Sequence, residues 1–256
     1  METLENKLGY VLVKNLKKEL KCLEDEFLLK FWEYIPGEVE KKVFDVYEIS
    51  LSLNDVVPRD IFILSLDRVY FRNADFYLDI TRITDSLDGR ISLGERPGSK
   101  PLAEQVKELK SCGELSLVDV GSFNGFTINE ICRLLEENNI TVKEVYVAFS
   151  NYKSGTITKS GRKLTSLYRY NFFDWIELRD LFGIDGRIIK QRNDKIREFI
   201  PYWENICEWA SIPSEYEHDA IRLCKLYNTR LLSVLQDFGY DISKIGKHIR
   251  FIGGKK

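Results

Sequence analysis

The residues best suited to chemistry lie in one stretch, residues 115–127, which reads LSLVDVGSFNGFT. An apolar run ends at Asp119, and a turn with Gly121 and Gly125 follows it. Apolar side chains then recur on one helical face, so the stretch predicts a strand, a glycine loop and the start of a helix. Such a loop points backbone N–H groups and the positive end of a helix dipole at an anion. The pattern therefore predicts an anion-binding site where the glycine loop meets the helix, called the cradle below.

The residues after the cradle predict the elements that hold it in place. Residues 142–149 (VKEVYVAF) are almost wholly apolar after Glu144, which is typical of a strand in a parallel sheet covered on both faces. Residues 115–149 thus predict one strand–helix–strand unit with a right-handed crossover.

The flanking regions predict other elements. An apolar stripe over residues 15–34 predicts an amphipathic helix for core packing, with a homodimer contact as the alternative. Residues 42–84, including the alternating residues 43–49, are rich in branched and aromatic side chains. They predict an antiparallel or hairpin layer without a long helix between its strands. The last third predicts helices, one of them capped by Ser214 and Glu217 and ended by Gly239.

A loop rich in glycine and proline precedes the cradle. Residues 85–101 contain three glycines, two prolines and the basic residues Arg90, Arg96 and Lys100. Such a composition is typical of a solvated connector. Its position just before the cradle also suits a mobile basic lid over an anionic ligand. Both interpretations stay open.

Composition limits the class of protein. Hydrophobic residues make up 44% and charged residues 30% of the 256 residues, and the net charge is −2. The charge gives no overall case for binding nucleic acid or an anionic membrane. No apolar run approaches the roughly 20 residues that span a bilayer, and the N-terminus lacks the apolar core of a signal peptide. Five scattered cysteines predict buried free thiols, and we expect a cytoplasmic protein.

Residues 117–128, LVDVGSFNGFTI, resemble the PRPP-binding signature of type I phosphoribosyltransferases. PRPP is 5-phosphoribosyl 1-pyrophosphate. In that family an apolar strand ends in two acidic residues, and a turn follows with Thr-Gly, any residue and Thr. Asp119 matches the first acid, Gly125 the glycine and Thr127 the last threonine.

The resemblance implies a site for PRPP or a nucleotide 5′-phosphate. Asp119 becomes the candidate catalytic residue, reaching the ribose hydroxyls. The implied phosphate-binding residues are Ser122, Asn124, Gly125, Phe126 and Thr127. Mg²⁺ would accompany PRPP, and the basic loop of Arg90, Arg96 and Lys100 would close over the pyrophosphate.

Two positions depart from the signature. Val120 stands where the second acid is expected, and Asn124 replaces the threonine before the glycine. The second acid helps to hold the ribose, so its replacement bears more on turnover than on phosphate binding. A non-catalytic nucleotide-binding or regulatory module is therefore an alternative.

Two further interpretations compete for the loop. DVGSFNG also resembles the first motif of class I S-adenosylmethionine-dependent methyltransferases, in which an acid after the next strand binds the ribose hydroxyls. Here Phe149 is followed by Ser150 and Asn151, without an acid, which weakens that resemblance. The remaining interpretation is an ordinary strand-to-helix turn without a ligand.

Taken together, the sequence predicts an α/β protein. We expect a Rossmann-like parallel sheet of the phosphoribosyltransferase kind, a β-rich N-terminal layer and a helical C-terminal cap. The expected segments are residues 1–84, 85–190 and 191–256. The expected partner is a phosphorylated small molecule, and the two histidines and the absence of a C-x-x-C motif weigh against a zinc site.

Overall fold

The computed structural model describes residues 10–38, 40–85, 91–96, 99–151, 161–171, 188–192, 196–200, 203, 206 and 212–241. The chain forms two compact units. The first comprises Lys42–Arg82 and Ile91–Phe173, and the second comprises Met1–Lys41, Ile83–Arg90 and Asp174–Lys256. The predicted segment boundaries after residues 84 and 190 fall within strands rather than linkers.

The described elements follow one another along the chain as helices and strands. The helices are α1 (Tyr10–Phe31), α2 (Val46–Val56), α3 (Leu102–Glu108), α4 (Phe126–Glu136) and α5 (Glu217–Asp237). The strands are β1 (Phe62–Ser65), β2 (Phe76–Tyr77), β3 (Ile80–Asp85), β4 (Ile91–Glu95), β5 (Glu114–Ser122), β6 (Thr141–Asn151), β7 (Lys163–Tyr170), β8 (Ile188–Arg192) and β9 (Ile196–Ile200). Short 3-10 turns span Trp32–Tyr34 and Ser214–Tyr216. Within the described residues, no helix combines the length and apolar character that a membrane crossing requires.

The first unit is built on a five-stranded sheet with the order β2-β1-β5-β6-β7. Every neighbouring pair in this sheet is parallel. Helix α4 buries Ile128, Ile131 and Leu135 in the same hydrophobic cluster as Leu117 and Val145 of the central strands. The predicted strand–helix–strand unit is confirmed as β5–α4–β6, and the α/β class is confirmed with it.

The predicted antiparallel layer over residues 42–84 is wrong. Val46–Val56 is helical, and β1 and β2 are parallel strands of the main sheet. The Asp45 carboxylate caps the helix by accepting hydrogen bonds from the amides of Tyr47 (2.7 Å) and Glu48 (3.1 Å). The alternation over residues 43–49 was too short to distinguish a strand from the first turn of a capped helix.

The cap of α2 gives a first testable prediction. Replacing Asp45 with alanine removes the acceptor of two backbone amides and is expected to lower the free energy of unfolding by about 1 kcal/mol. Denaturant unfolding of both proteins measures the difference. Asp45→Asn is the control, because an amide oxygen also caps helices well and should retain most of the stability. Equal losses in both variants would show that the cap does not stabilise α2.

The second unit packs α1 against α5. The Phe27 ring lies 5.4 Å from that of Phe31 and 5.3 Å from that of Tyr227, measured between centroids. All three side chains are fully buried, so the predicted core role of the first helix is confirmed.

The second unit differs from two predictions, the capping box before α5 and the wholly helical C-terminal segment. The 3-10 turn Ser214–Tyr216 and α5 begin without a side-chain cap, so the predicted capping box does not form. Gly239 ends the helix as predicted, with a φ of +83°. Strand β8 pairs in parallel with Ile83–Asp85 and antiparallel with β9, so residues 191–256 are not wholly helical.

Candidate functional site

The glycine loop leaves the parallel sheet at the point where its strand order reverses. The chain places β2 on one side of β1 and then returns to place β5 on the other side. The last residue of β1, Ser65, is in register with Val118, and β5 continues beyond it to Ser122. The amide of Leu66 extends this pairing by donating to the Val118 carbonyl oxygen at 2.9 Å. Ligands of open α/β sheets bind beyond the carboxyl ends of the strands at such a reversal.

Gly125 connects the loop to α4 in a conformation that favours glycine. Its φ is +76°, and an added Cβ would lie 2.9 Å from Nδ2 of Asn129. The amide of Phe126 donates to Oδ1 of Asn124 at 3.0 Å, and the amide of Asn129 makes the first intrahelical bond, to the Gly125 carbonyl oxygen at 2.9 Å. The amides of Thr127 and Ile128 precede that bond, which makes them the donors that a helix start offers to an anion.

Ser122 adds a buried hydroxyl beside this helix start. Its side chain is 3% exposed, and the hydroxyl has no hydrogen-bond partner among the residues that the structure describes. The oxygen lies 3.9 Å from the position that a Cβ on Gly125 would occupy, so it faces the beginning of α4. Buried polar atoms nearly always have a partner, because an unpaired one costs about 1–3 kcal/mol. A bound ligand atom would supply the missing partner.

Arg82 brings a positive charge to the same place. Its Nη2 and Nε donate to the Thr127 hydroxyl oxygen at 3.3 and 3.4 Å. A cation at a helix N-terminus opposes the helix dipole, and an anion bound between the two would offset this repulsion. Sequence reasoning missed Arg82, because it lies 45 positions from Thr127 and no local pattern connects them.

Two carboxylates lie in or just after the central strands, Asp119 within β5 and Asp67 after β1. Asp119 is half-buried, and its Oδ1 accepts a hydrogen bond from the amide of Val120 at 2.8 Å. Asp67, which follows β1, is buried and accepts from the amides of Val69 (2.6 Å) and Tyr70 (3.0 Å). Asp67 was not predicted, although an acid directly after the apolar residues 61–66 is a signal that could have found it.

The basic loop is described only in part. Arg90 lies outside the described residues. The Arg96 guanidinium donates to the carbonyl oxygens of Ile80 (2.7 Å) and Leu66 (3.3 Å), which holds it against the backbone near the end of β1. Lys100 forms an ion pair with Glu108 of α3. The lid role of these residues stays a prediction.

The four described cysteines are free thiols: Cys132 and Cys224 are buried as predicted, Cys112 is half-buried, and Cys22 is exposed, so the predicted burial is wrong for Cys22. Cys132 lies on the buried face of α4, where burial raises the pKa of its thiol to about 11. Burial likewise raises the pKa of Cys224 to about 12. Both thiols are therefore protonated at neutral pH, and neither is a candidate nucleophile. The described part of the chain has no group of three or more His, Cys, Asp or Glu residues that could hold a metal ion.

Comparison with known proteins does not give the chain a family. No protein-family model matches it, and no curated protein matches it closely enough to indicate a relationship. Function must therefore be inferred from the residues around the glycine loop.

Proposed function

We propose that this chain is a phosphoribosyltransferase-like protein that binds PRPP or the 5′-phosphate of a nucleotide at the start of α4. One observation supports this most directly: the Arg82 guanidinium donates hydrogen bonds to the Thr127 hydroxyl oxygen at the positive end of α4. The unpartnered Ser122 hydroxyl faces the same point. Hydroxyls, an arginine and free helix amides are the groups that bind a phosphate dianion. The strand order β2-β1-β5-β6-β7 supports a Rossmann-like sheet.

Each group has a distinct role in this proposal. The amides of Thr127 and Ile128 and the hydroxyls of Ser122 and Thr127 donate hydrogen bonds to the phosphate oxygens. Arg82 neutralises the charge of the phosphate. Asp119, on the preceding strand, binds the ribose hydroxyls, because a carboxylate accepts hydrogen bonds from both.

In the enzymatic form of the proposal the reaction occurs at C1 of the ribose. The bond from C1 to the pyrophosphate oxygen breaks, and its electron pair leaves with pyrophosphate. A ring nitrogen of a base forms the new bond to C1, and where that nitrogen carries a proton, the proton passes to water or to the leaving pyrophosphate. The protein contributes by holding the two reactants in line and by stabilising the positive charge that develops on the ribose, for which Asp119 is the nearest predicted carboxylate.

Mg²⁺ is assigned to the substrate in this proposal. The described residues include no metal-binding cluster, and Asp119 is the single carboxylate of the predicted loop. In this proposal Mg²⁺ binds to the oxygens of PRPP, and no step depends on a metal ligand from the chain.

Calorimetry on one preparation tests the ligand. We expect PRPP with Mg²⁺ to bind and S-adenosylmethionine not to bind, because the site lacks an acid after β6 and presents donors for an anion. Binding of S-adenosylmethionine alone would overturn the proposal and favour a methyltransferase. Release of pyrophosphate with purine, pyrimidine or nicotinamide bases then separates a transferase from a binding module.

A further inference from the structure

A row of polar side chains crosses the sheet beside the cradle. Ser122 of β5 is in register with Ser150 of β6, and Ser150 is in register with Arg169 of β7. Residues paired across neighbouring strands direct their side chains to the same face of a sheet. The three residues therefore form one row at the carboxyl end of the sheet, and the row begins at the Ser122 hydroxyl that faces α4.

Ser150 resembles Ser122 in its burial and in its unpartnered hydroxyl. Its side chain is 0% exposed, and its hydroxyl likewise has no hydrogen-bond partner in the described part of the chain. Two adjacent buried hydroxyls without partners are costly, since each forfeits the hydrogen bonds it would make in water. Their neighbouring positions indicate one ligand that spans both strands.

Arg169 supplies the charge at the end of the row. It is half-buried, and its Nη2 donates to the Leu164 carbonyl oxygen over a long distance of 3.4 Å. A guanidinium has five N–H donors, so this weak bond leaves most of its capacity for a ligand. An arginine beside two hydroxyls has the chemistry of a phosphoryl-binding subsite.

We infer that Ser150 and Arg169 form a second anion subsite and that the ligand carries two adjacent phosphoryl groups. The inference rests on the proposed function, because the first phosphoryl group occupies the cradle of Arg82, Thr127 and Ser122. Strands lie about 4.8 Å apart, so neighbouring positions of the row suit adjoining groups of a diphosphate. Of the two ligands proposed above, this selects a nucleotide with a 5′-diphosphate, because PRPP carries one phosphoryl group on C5 and its two adjacent phosphoryl groups on C1.

Titration calorimetry with inorganic phosphate and with pyrophosphate, both without Mg²⁺, tests this subsite on the full chain. Wild type is expected to bind pyrophosphate about 10-fold more tightly than phosphate. Arg169→Gln and Ser150→Ala are each expected to weaken pyrophosphate binding about 5- to 10-fold, the effect of a lost hydrogen bond. Their phosphate affinity should stay within about twofold, because the cradle is intact. Lys163→Gln, at the other end of β7, is the control for a lost charge and should change neither affinity.

The melting temperature separates binding from a structural role. Ser150→Ala removes a hydroxyl that has no partner within the described residues, so the melting temperature should not fall. A lower melting temperature together with unchanged pyrophosphate affinity would overturn the subsite. Phosphate binding that depends on Arg82, with pyrophosphate binding insensitive to Ser150 and Arg169, would overturn the subsite alone. Binding of neither ion would overturn the subsite and the cradle together.

Discussion

Replacing Gly125 with alanine is expected to lower the affinity for PRPP about 100-fold. The φ of +76° costs an alanine about 1 kcal/mol or more, and its Cβ would lie 2.9 Å from Nδ2 of Asn129. Both strains are relieved if the loop moves away from the start of α4. Such a movement would remove charge-assisted hydrogen bonds to the phosphate, each contributing about 1.5–3 kcal/mol. Calorimetry with PRPP and Mg²⁺ measures the affinity, and denaturant unfolding measures the accompanying loss of stability.

Gly113→Ala is the matched control for this variant. Gly113 also has a positive φ, +64°, but an added Cβ there meets no atom within 4 Å. It precedes β5 and so lies at the opposite end of that strand from the glycine loop. The control should lose a similar amount of stability through its φ and bind PRPP like wild type. If Gly125→Ala retained wild-type affinity, the loop would be an ordinary turn without a ligand.

The second large loss of PRPP affinity is expected when Arg82 is replaced. Arg82→Gln should weaken PRPP binding about 10- to 100-fold, because it removes a charged hydrogen-bond donor from the phosphate. The variant should also bind with less dependence on salt, since part of the attraction between charges is gone. Calorimetry at low and at physiological ionic strength measures both effects.

Arg133→Gln is the control, because it removes the same charge about 9 Å along α4 from Thr127. Arg133 forms ion pairs with Glu130 and Glu137 on the helix surface, and such pairs contribute little to stability. Combining Arg82→Gln with Thr127→Ala adds a further check. Arg82 contacts the Thr127 hydroxyl, so the double variant should lose less binding energy than the sum of the single losses. Strictly additive losses, or an equal loss in Arg133→Gln, would contradict a shared phosphate site.

Local patterns in the sequence were sufficient to predict several elements of the fold. The apolar run up to Asp119, Gly125 and the helical repeat after it predicted β5, the loop and α4, and the fold has them. Gly121, predicted in the turn, lies instead within β5 and pairs with Phe149. The stripe of the first helix predicted its buried face correctly. These features depend on hydrogen bonds and side-chain periodicity within a few residues, so the sequence encodes them directly.

Other features required contacts between distant residues. The helix α2 replaced a predicted strand, because the Asp45 cap outweighed a short alternating pattern. The pairing of β1 with β5 joins segments about 50 positions apart, and no turn signal specifies it. Strand register brings together Ser122, Ser150 and Arg169, and Arg82 of β3 contacts Thr127 from 45 positions away.

By itself, the sequence of this protein determined an α/β architecture and one glycine loop at a helix start. Tertiary structure alone decided which groups surround that loop. It brought Arg82 to Thr127 and aligned Ser150 and Arg169 with Ser122. The physical reason is that a loop's backbone conformation follows from local residues such as Gly125, whereas the charge and hydroxyls around it come from strands whose pairing depends on the whole core.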